Sequence, residues 1–260
     1  MRQKSFNDHF WMFYDFLAKD TPFALSRFSD GELFIMQGIE VKLDDAGAVI
    51  GSQKIHSSSY KRADHKHFHP QQHVRYQKLL IKAFQYKKRN YYKGISCRCC
   101  VGQDNFDWQI LLHGGDDESL TWANIWINAN YSKFIKFVLP LLYSKKVVFV
   151  GHEHADLSKL PFIVRDFRVG YNAMVNDYDK IAVIESWIEN HSIRDHVFIF
   201  SASSFSNLAI HRLYAKYEGN TYIDIGTCLS PLINMPDDRD YLKKFWSYQN
   251  LGDVVKQCIW

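Results

Sequence analysis

The sequence has no run of about 18 charge-free apolar residues, the length a membrane-spanning helix needs. Its first segment, MRQKSFNDHFWMFYDFLAKD, lacks the unbroken apolar core and the small-residue cleavage site of a secretory signal. These absences lead us to expect a soluble, cytoplasmic chain that opens with an amphipathic helix packed on the core. A peripheral membrane contact through the aromatic face of that helix is the alternative. Charge of one sign is also scarce. Lys and Arg total 32 against 28 Asp and Glu, a net charge of +4. That field is too weak to imply nucleic acid, but it suits a phosphate-bearing substrate. Cysteines number five, an odd total, and three of them (Cys97, Cys99 and Cys100) crowd into SCRCC. This is not a secreted disulfide framework. Zinc at the cluster would need a fourth ligand and another spacing, so these thiols are read as small apolar side chains of a buried strand. Internal repeats, low-complexity linkers, a glycine fingerprint and a Walker lysine are all missing.

What the chain does have is apolar and aromatic bulk: 47% of residues are hydrophobic and 16% aromatic. A chain of 260 residues can bury a large core. PFALSRF is expected to be a first strand and GELFIMQGI a helix. HVRYQKLLIKAFQYKKR fits a basic amphipathic helix, and YKGISCRCCVG the next strand. TWANIWINANYSKFIKFVLPLL is expected to be helical up to Pro140. In the second half KKVVFVGHE, HVFIFSASS and TYIDIG have the composition of strands. Between them lie a helix with Asp177 as N-cap and a helix closed by Gly219. Strands apolar on both faces, separated by helices, define the expected class as α/β. We expect a single Rossmann-like domain over residues 1–260, with a mainly parallel sheet flanked by helices. Residues 42–72 are polar, with HSSSYKRADHKHFHPQQH at their centre, and read as a long loop or small insertion.

In open parallel sheets, ligands sit outside the carboxyl ends of the strands. Polar residues occupy four such ends: Arg27 to Glu32, Gly151 to Asp156, Ser201 to Ser206, and Asp224 to Thr227. In FIFSASSFSNLAIHRL, Ser201, Ser203 and Ser204 lie where a helix starts. Free amides and the helix dipole attract an anion at such a point, although serines also simply cap helices. Asp30-Gly31-Glu32 could present two carboxylates to Mn²⁺ or Mg²⁺. It also fits a capping box opened by Ser29. Arg27, at the end of an apolar strand, needs an anion nearby, either Asp30 or a diphosphate. GHEHADL offers His152, Glu153, His154 and Asp156 for a metal or a general base, or forms a polar surface loop. His65, His67 and His69 alternate in a polar stretch and read as solvated or facing an acceptor.

Together these pieces resemble the GT-D glycosyltransferases, a family first catalogued as a domain of unknown function and typified by a streptococcal glucosyltransferase. LSRFSDGEL is similar to the family's Arg-Phe-Gly-Asp-Gly-Glu opening, with Ser29 in place of glycine. GYNAMVNDYDKI resembles its Asn-Ala-Phe segment before a helix. VFIFSASSFSNLAIHRLY and YIDIG resemble its final strand, loop, helix and Asp-Ile-Gly strand, with SASSF replacing a Gly-Pro-Thr-Ala-like loop. The tail after Ser230 lacks the family's acidic ending. The resemblance implies sugar transfer from a nucleotide-diphosphate donor, usually a UDP-sugar, to an oligosaccharide or glycoprotein acceptor. It ties Asp30 and Glu32 to Mn²⁺ or Mg²⁺ and the donor diphosphate. Arg27, Ser29, Gly151, His152, Asn172, Ser201, Ser203 and Ser204 are then expected around the donor. Glu153 or Asp224 would serve as base, or Asp224 would hold the ribose. Trp122, Trp126 and Tyr131 would stack on an acceptor sugar or belong to the core. Two other classes stay open: a metal-dependent phosphohydrolase built on Asp30, Glu32 and the His152–Asp156 loop, and a non-catalytic nucleotide-binding protein.

Overall fold

An aromatic helix and a set of short apolar strands build the centre of this protein, seen here in a computed structural model. It describes residues 4–44, 47–51, 53–55, 65–247, 258 and 260. Helix α1 (Phe6–Ala18) starts at Ser5, whose hydroxyl accepts the Asp8 N–H at 3.2 Å. Its helical spacing gathers Phe6, Phe10, Phe13 and Leu17 on one buried face. Phe13 stacks on Phe23 at 5.4 Å, and Phe10 meets Trp126 edge-on at 5.6 Å. That face is in the core, and Trp11, Tyr14 and Phe16 of the same helix are half-buried. Among the described residues no helix is long and apolar enough to cross a membrane.

Strand β1 (Ala24–Phe28) is buried at every residue, and α2 (Asp30–Met36) follows it directly. The polar insertion then forms a sheet of its own rather than a loop. Strands β2 (Val41–Asp44), β3 (Gly47–Ile50), β4 (Gln53–Ile55) and β5 (His67–Phe68) pair antiparallel in the order β4-β3-β2-β5. Val41 and Leu43 are buried while Lys42 is exposed, the period of two that a half-covered strand requires. Helix α3 (Val74–Gln85) leads to β6 (Tyr91–Ile95), the short α4 (Arg98–Val101), α5 (Gln103–His113) and β7 (Leu120–Trp122). The cysteines of SCRCC thus leave the sheet: Cys97 caps α4, and Cys99 and Cys100 lie within it. Gly94 lets β7 and the turn after it approach β6, because a Cβ there would come within 2.9 Å of the Trp122 and Ala123 backbone.

The stretch after β7 is a turn and then helix: α6 (Tyr131–Lys133), a π-helical segment Phe134–Val138, and α7 (Leu139–Leu142). Pro140 sits in the first turn of α7, where its missing N–H costs nothing, so it does not end the helix. Trp122, Trp126 and Tyr131 are fully buried, which makes them core and not platforms for a sugar. The second half runs β8 (Lys146–His152), β9 (Ile163–Val169), α8 (Ala173–Asn176), α9 (Lys180–Asn190), β10 (His196–Ser201), α10 (Ser204–Lys216), β11 (Thr221–Asp224) and α11 (Asp240–Trp246). Asp177 does not cap α9. Its carboxylate instead accepts the Gly170 N–H at 2.7 Å. Helix α10 ends at Lys216, short of Gly219. Strand β9 carries Arg165, Asp166 and Arg168, charges that masked it in the sequence and that an edge strand tolerates.

The main sheet has seven strands in the order β7-β6-β1-β11-β10-β8-β9, and every neighbouring pair is parallel. The α/β class is as expected from the sequence, with helices flanking the sheet.

Candidate active site

Strands β1, β11, β10 and β8 are consecutive in the sheet, and so their carboxyl ends lie side by side. The four polar strand ends therefore meet along one edge. Beside them opens a cleft of about 640 Å³, within the ordinary range of small-molecule sites. Arg27, Glu32, Asp224 and Ser204 form its sheet side. Val41, Leu43 and Lys66 of the inserted sheet form another wall, and Arg239 and Tyr241 line it from the C-terminal side.

Glu32 is the most constrained group here. It is buried, and its Oε1 accepts from Lys66 Nζ at 2.6 Å and from Ser204 Oγ at 2.5 Å. Its Oε2 accepts the Ser29 N–H at 3.1 Å, one arm of the expected capping box. Burial alone would push its carboxyl up, but the Lys66 charge and the hydrogen bonds outweigh it and hold it below the usual value. Asp30 differs. It is exposed at the cleft, and its Oδ1 accepts the Gly31 N–H at 3.0 Å. The surrounding protein, then the charge on Glu32, push its carboxyl upward while Lys66 and Arg239 oppose. Because the residue is open to water, solvent screens much of that push.

These contacts test the expected metal pair. Glu32 already receives an ammonium, a hydroxyl and an amide, and the Lys66 ammonium would repel a cation placed beside it. Asp30 and Glu32 as arranged do not fit a shared Mn²⁺ or Mg²⁺ site, so Asp30 is the only one of the pair left open. Arg27 likewise finds its anion elsewhere than expected. Its Nη1 lies 3.8 Å from Asp224 Oδ1, and its Nε donates to the Ala123 carbonyl. Gly226, at φ +53°, leaves the space into which this guanidinium fits. Burial pushes Asp224 up to about 6, the Arg27 guanidinium and the Gly226 N–H oppose, and Glu32 adds to the rise.

Ser203 stands at φ +51°, a strained conformation for a residue with a side chain. It starts α10 at the cleft, where Ser201, Ala202, Ser203 and Ser204 all line the wall. Ser201 Oγ donates to the Gly226 carbonyl at 2.7 Å. Asn207, one turn into α10, donates to Ser26 Oγ at 3.0 Å and to the Arg27 carbonyl at 2.8 Å, which fastens the helix to β1. Sequence reasoning missed Asn207 and Lys66. A signal for Lys66 existed: in HKHFH, Lys66 and Phe68 alternate with His65, His67 and His69, and Phe68 is buried, so Lys66 is carried inward with it.

The remaining expected residues divide. His152 lines the cleft, with Nδ1 accepting the His154 N–H at 3.2 Å and Nε2 enclosed without a partner among the described residues. Burial, then the neighbouring His154, lower its pKa, so the ring is neutral at pH 7. Asn172 also lines the cleft, at φ +51°, and its Oδ1 accepts the His67 N–H at 3.1 Å. Ser29 and Asp224 are there too. Gly151 is not: the Phe149 ring fills the space its side chain would take, so the glycine serves packing. Glu153, His154 and Asp156 are outside the residues that line the cleft. His65 packs tilted against Tyr171 at 4.1 Å and His69 donates its N–H to His73 Nδ1 at 3.0 Å, so the histidine run does not converge on a point.

No family model matches this sequence, and no curated protein matches it. Solved structures do match. A structure of domain of unknown function 1792 superposes with a TM-score of 0.53 at 14% identity, over 86% of this chain and 78% of that one. A second, described as showing that this domain has a distinct glycosyltransferase fold, gives 0.56 at 14% identity over the same shares. A third, described as a new glycosyltransferase of this type from Streptococcus sanguinis, gives 0.55 at 13% identity, over 88% of this chain and 82% of that one. The architecture is thus that of a known glycosyltransferase fold.

Proposed function

We propose that this chain is a glycosyltransferase that moves a sugar from a nucleotide-diphosphate donor, a UDP-sugar, to an oligosaccharide or glycoprotein acceptor. One observation carries the reading. Arg27, Lys66 and the start of α10 face a single cleft, in a fold shared with structures described as glycosyltransferases. Two cations, the amides of a helix start and the Ser203 hydroxyl would form a cradle for a diphosphate and stabilise the charge that grows on it as it leaves. Tyr241 and Asn172 bound the space left for nucleoside and sugar.

Of the two candidate bases, Asp224 lines the cleft and Glu153 does not. A carboxyl with a pKa near 6 is ionised at neutral pH yet basic enough to take a proton. In an inverting transfer, Asp224 accepts the acceptor hydroxyl's proton as that oxygen attacks the anomeric carbon. The bond from that carbon to the diphosphate oxygen breaks, and its electrons stay on the diphosphate. The phosphohydrolase reading loses its main support, because Glu32 is engaged by Lys66 and the His152–Asp156 loop contributes only His152 to the cleft.

A thermal-shift panel of nucleotide sugars, run with Mn²⁺ and with a chelator, tests the reading. One UDP- or GDP-sugar should raise the melting temperature by mass action. Release of free nucleotide should then depend on an added acceptor. Silence across the whole panel would refute sugar transfer, and release by water alone would restore the hydrolase.

A further inference from the structure

Away from the diphosphate cradle, the structure assembles four cysteines that the sequence scatters. Cys97, Cys99, Cys100 and Cys258 bring their sulfurs within 4.8 Å of one another, with Cys97 Sγ at 3.0 Å from Cys99 Sγ and 3.3 Å from Cys100 Sγ. All are free thiols, and these gaps are far longer than the ~2.05 Å of a disulfide. A tetrahedral site with Zn–S bonds of about 2.3 Å has sulfur–sulfur edges of about 3.8 Å, inside the range seen here. The turn after β6 makes the near set. Cys97 caps α4, and its carbonyl accepts the N–H groups of Cys100 at 2.9 Å and Val101 at 3.2 Å, which folds three thiols toward one point. The fourth ligand, far away in the sequence, is Cys258.

We propose that Cys97, Cys99, Cys100 and Cys258 bind one structural Zn²⁺ that pins the C-terminal segment to the β6–α4 turn. Four sulfur ligands in a closed set leave no open position, as structural zinc requires, and sulfur softness selects zinc over Mg²⁺ or Mn²⁺. A supporting shell is in place. Asn124 Nδ2 lies 3.5 Å from Cys258 Sγ and 3.6 Å from Cys100 Sγ, where its N–H groups can donate to thiolate sulfur. Beyond Cys258 the chain is held by Trp260, which meets Trp122 edge-on at 5.0 Å, donates from Nε1 to Asp116 at 3.1 Å and accepts from Arg98 at its carbonyl. Cys100 and Asn124 also line the cleft, so the metal would brace one of its walls. Cys228 is buried elsewhere, against the Trp126 carbonyl. The inference is independent of sugar transfer, since it makes the zinc structural.

Elemental analysis of protein purified under reducing conditions, with no chelator, tests it. The expected result is one zinc per chain, retained in Cys228→Ser and lost in the Cys99→Ser/Cys258→Ser variant. Because that variant could misfold, cobalt substitution of the unaltered chain gives a second reading: tetrahedral thiolate cobalt has intense sulfur-to-metal charge-transfer absorption. Zinc removal should also expose the C-terminal segment to limited proteolysis. A metal-free chain that takes up neither zinc nor cobalt would overturn the proposal. So would a disulfide among these four thiols in the reduced preparation, or zinc retained by the double variant.

Discussion

The two walls of the cleft make an instructive contrast. One is the carboxyl edge of the parallel sheet, where Glu32 and Asp224 are buried. The other is the inserted antiparallel sheet, whose strands are short and which sends Lys66 across the gap. Neither wall is electrostatically complete alone. A buried carboxylate without a partner would be too costly to keep ionised, and a buried ammonium equally so. The insertion is therefore more than a lid over a finished site: it supplies the positive charge that lets an acidic corner stay folded.

Cutting that link gives the largest expected effect. Lys66→Ala leaves Glu32 buried without its cation and should destabilise the chain by about 3–5 kcal/mol in urea unfolding. A second change, Glu32→Gln, should recover much of that loss, because it removes the stranded charge. Additive costs in the double variant would break the comparison, since the two walls would then not be coupled.

Damage confined to the sheet side should cost less. Gly226→Ala places a side chain at φ +53° and into the Arg27 guanidinium. About 3 kcal/mol is expected from the backbone strain and the displaced arginine. The loss should be equal in wild-type and Lys66→Ala backgrounds, because Gly226 touches the other wall.

Charge state sharpens the contrast further. The folded Asp224 carboxyl titrates near 6, above its ordinary 3.8, so the native state holds an extra proton between those values. Stability contributed by that proton is present below about pH 4 and lost as pH rises through about 6, on the order of 3 kcal/mol. Glu32, held low, has the opposite slope: its contribution is present above its ordinary value and lost as pH falls through its folded one. Asp224→Asn should remove the decline between pH 4 and 6 in denaturant midpoints, whatever its cost at a single pH.

The sheet side was legible in the sequence because its signals are local. Strands such as Val147–Val150 and Phe198–Phe200 are continuous apolar runs, and their order along one edge follows from parallel topology. Asp30, Glu32, Asp224 and the serines stood out as polar residues at strand ends for the same reason. The inserted wall was not legible. Its strands are too short to show a period clearly, and Lys66 looks like one more charge among histidines until Phe68 fixes the face it takes. The cysteine corner failed for a different reason: three thiols are adjacent in sequence, but the fourth arrives through tertiary structure alone. Residue type and spacing cannot report a ligand whose nearness is set by the fold.

Asp30 should give the smallest effect on stability and a sharp one on binding. Two residues from Glu32, it is exposed, and the hydrogen bond its carboxylate accepts comes from the Gly31 N–H rather than from Lys66. Asp30→Asn should change unfolding free energy by less than about 0.5 kcal/mol, the ordinary range for surface positions. Its charge nevertheless faces the cleft in which we place the diphosphate. With a chelator present, removing that charge takes away a like-charge repulsion, so a nucleoside diphosphate should bind at least as tightly to the variant as to wild type. Isothermal titration checks this. If Mn²⁺ strengthens binding in wild type and not in Asp30→Asn, the cation is held by Asp30 together with the phosphates. The same Mn²⁺ gain in both proteins would instead place it on the diphosphate alone, and would leave the cleft a site that meets phosphate charge with Arg27, Lys66 and the start of α10.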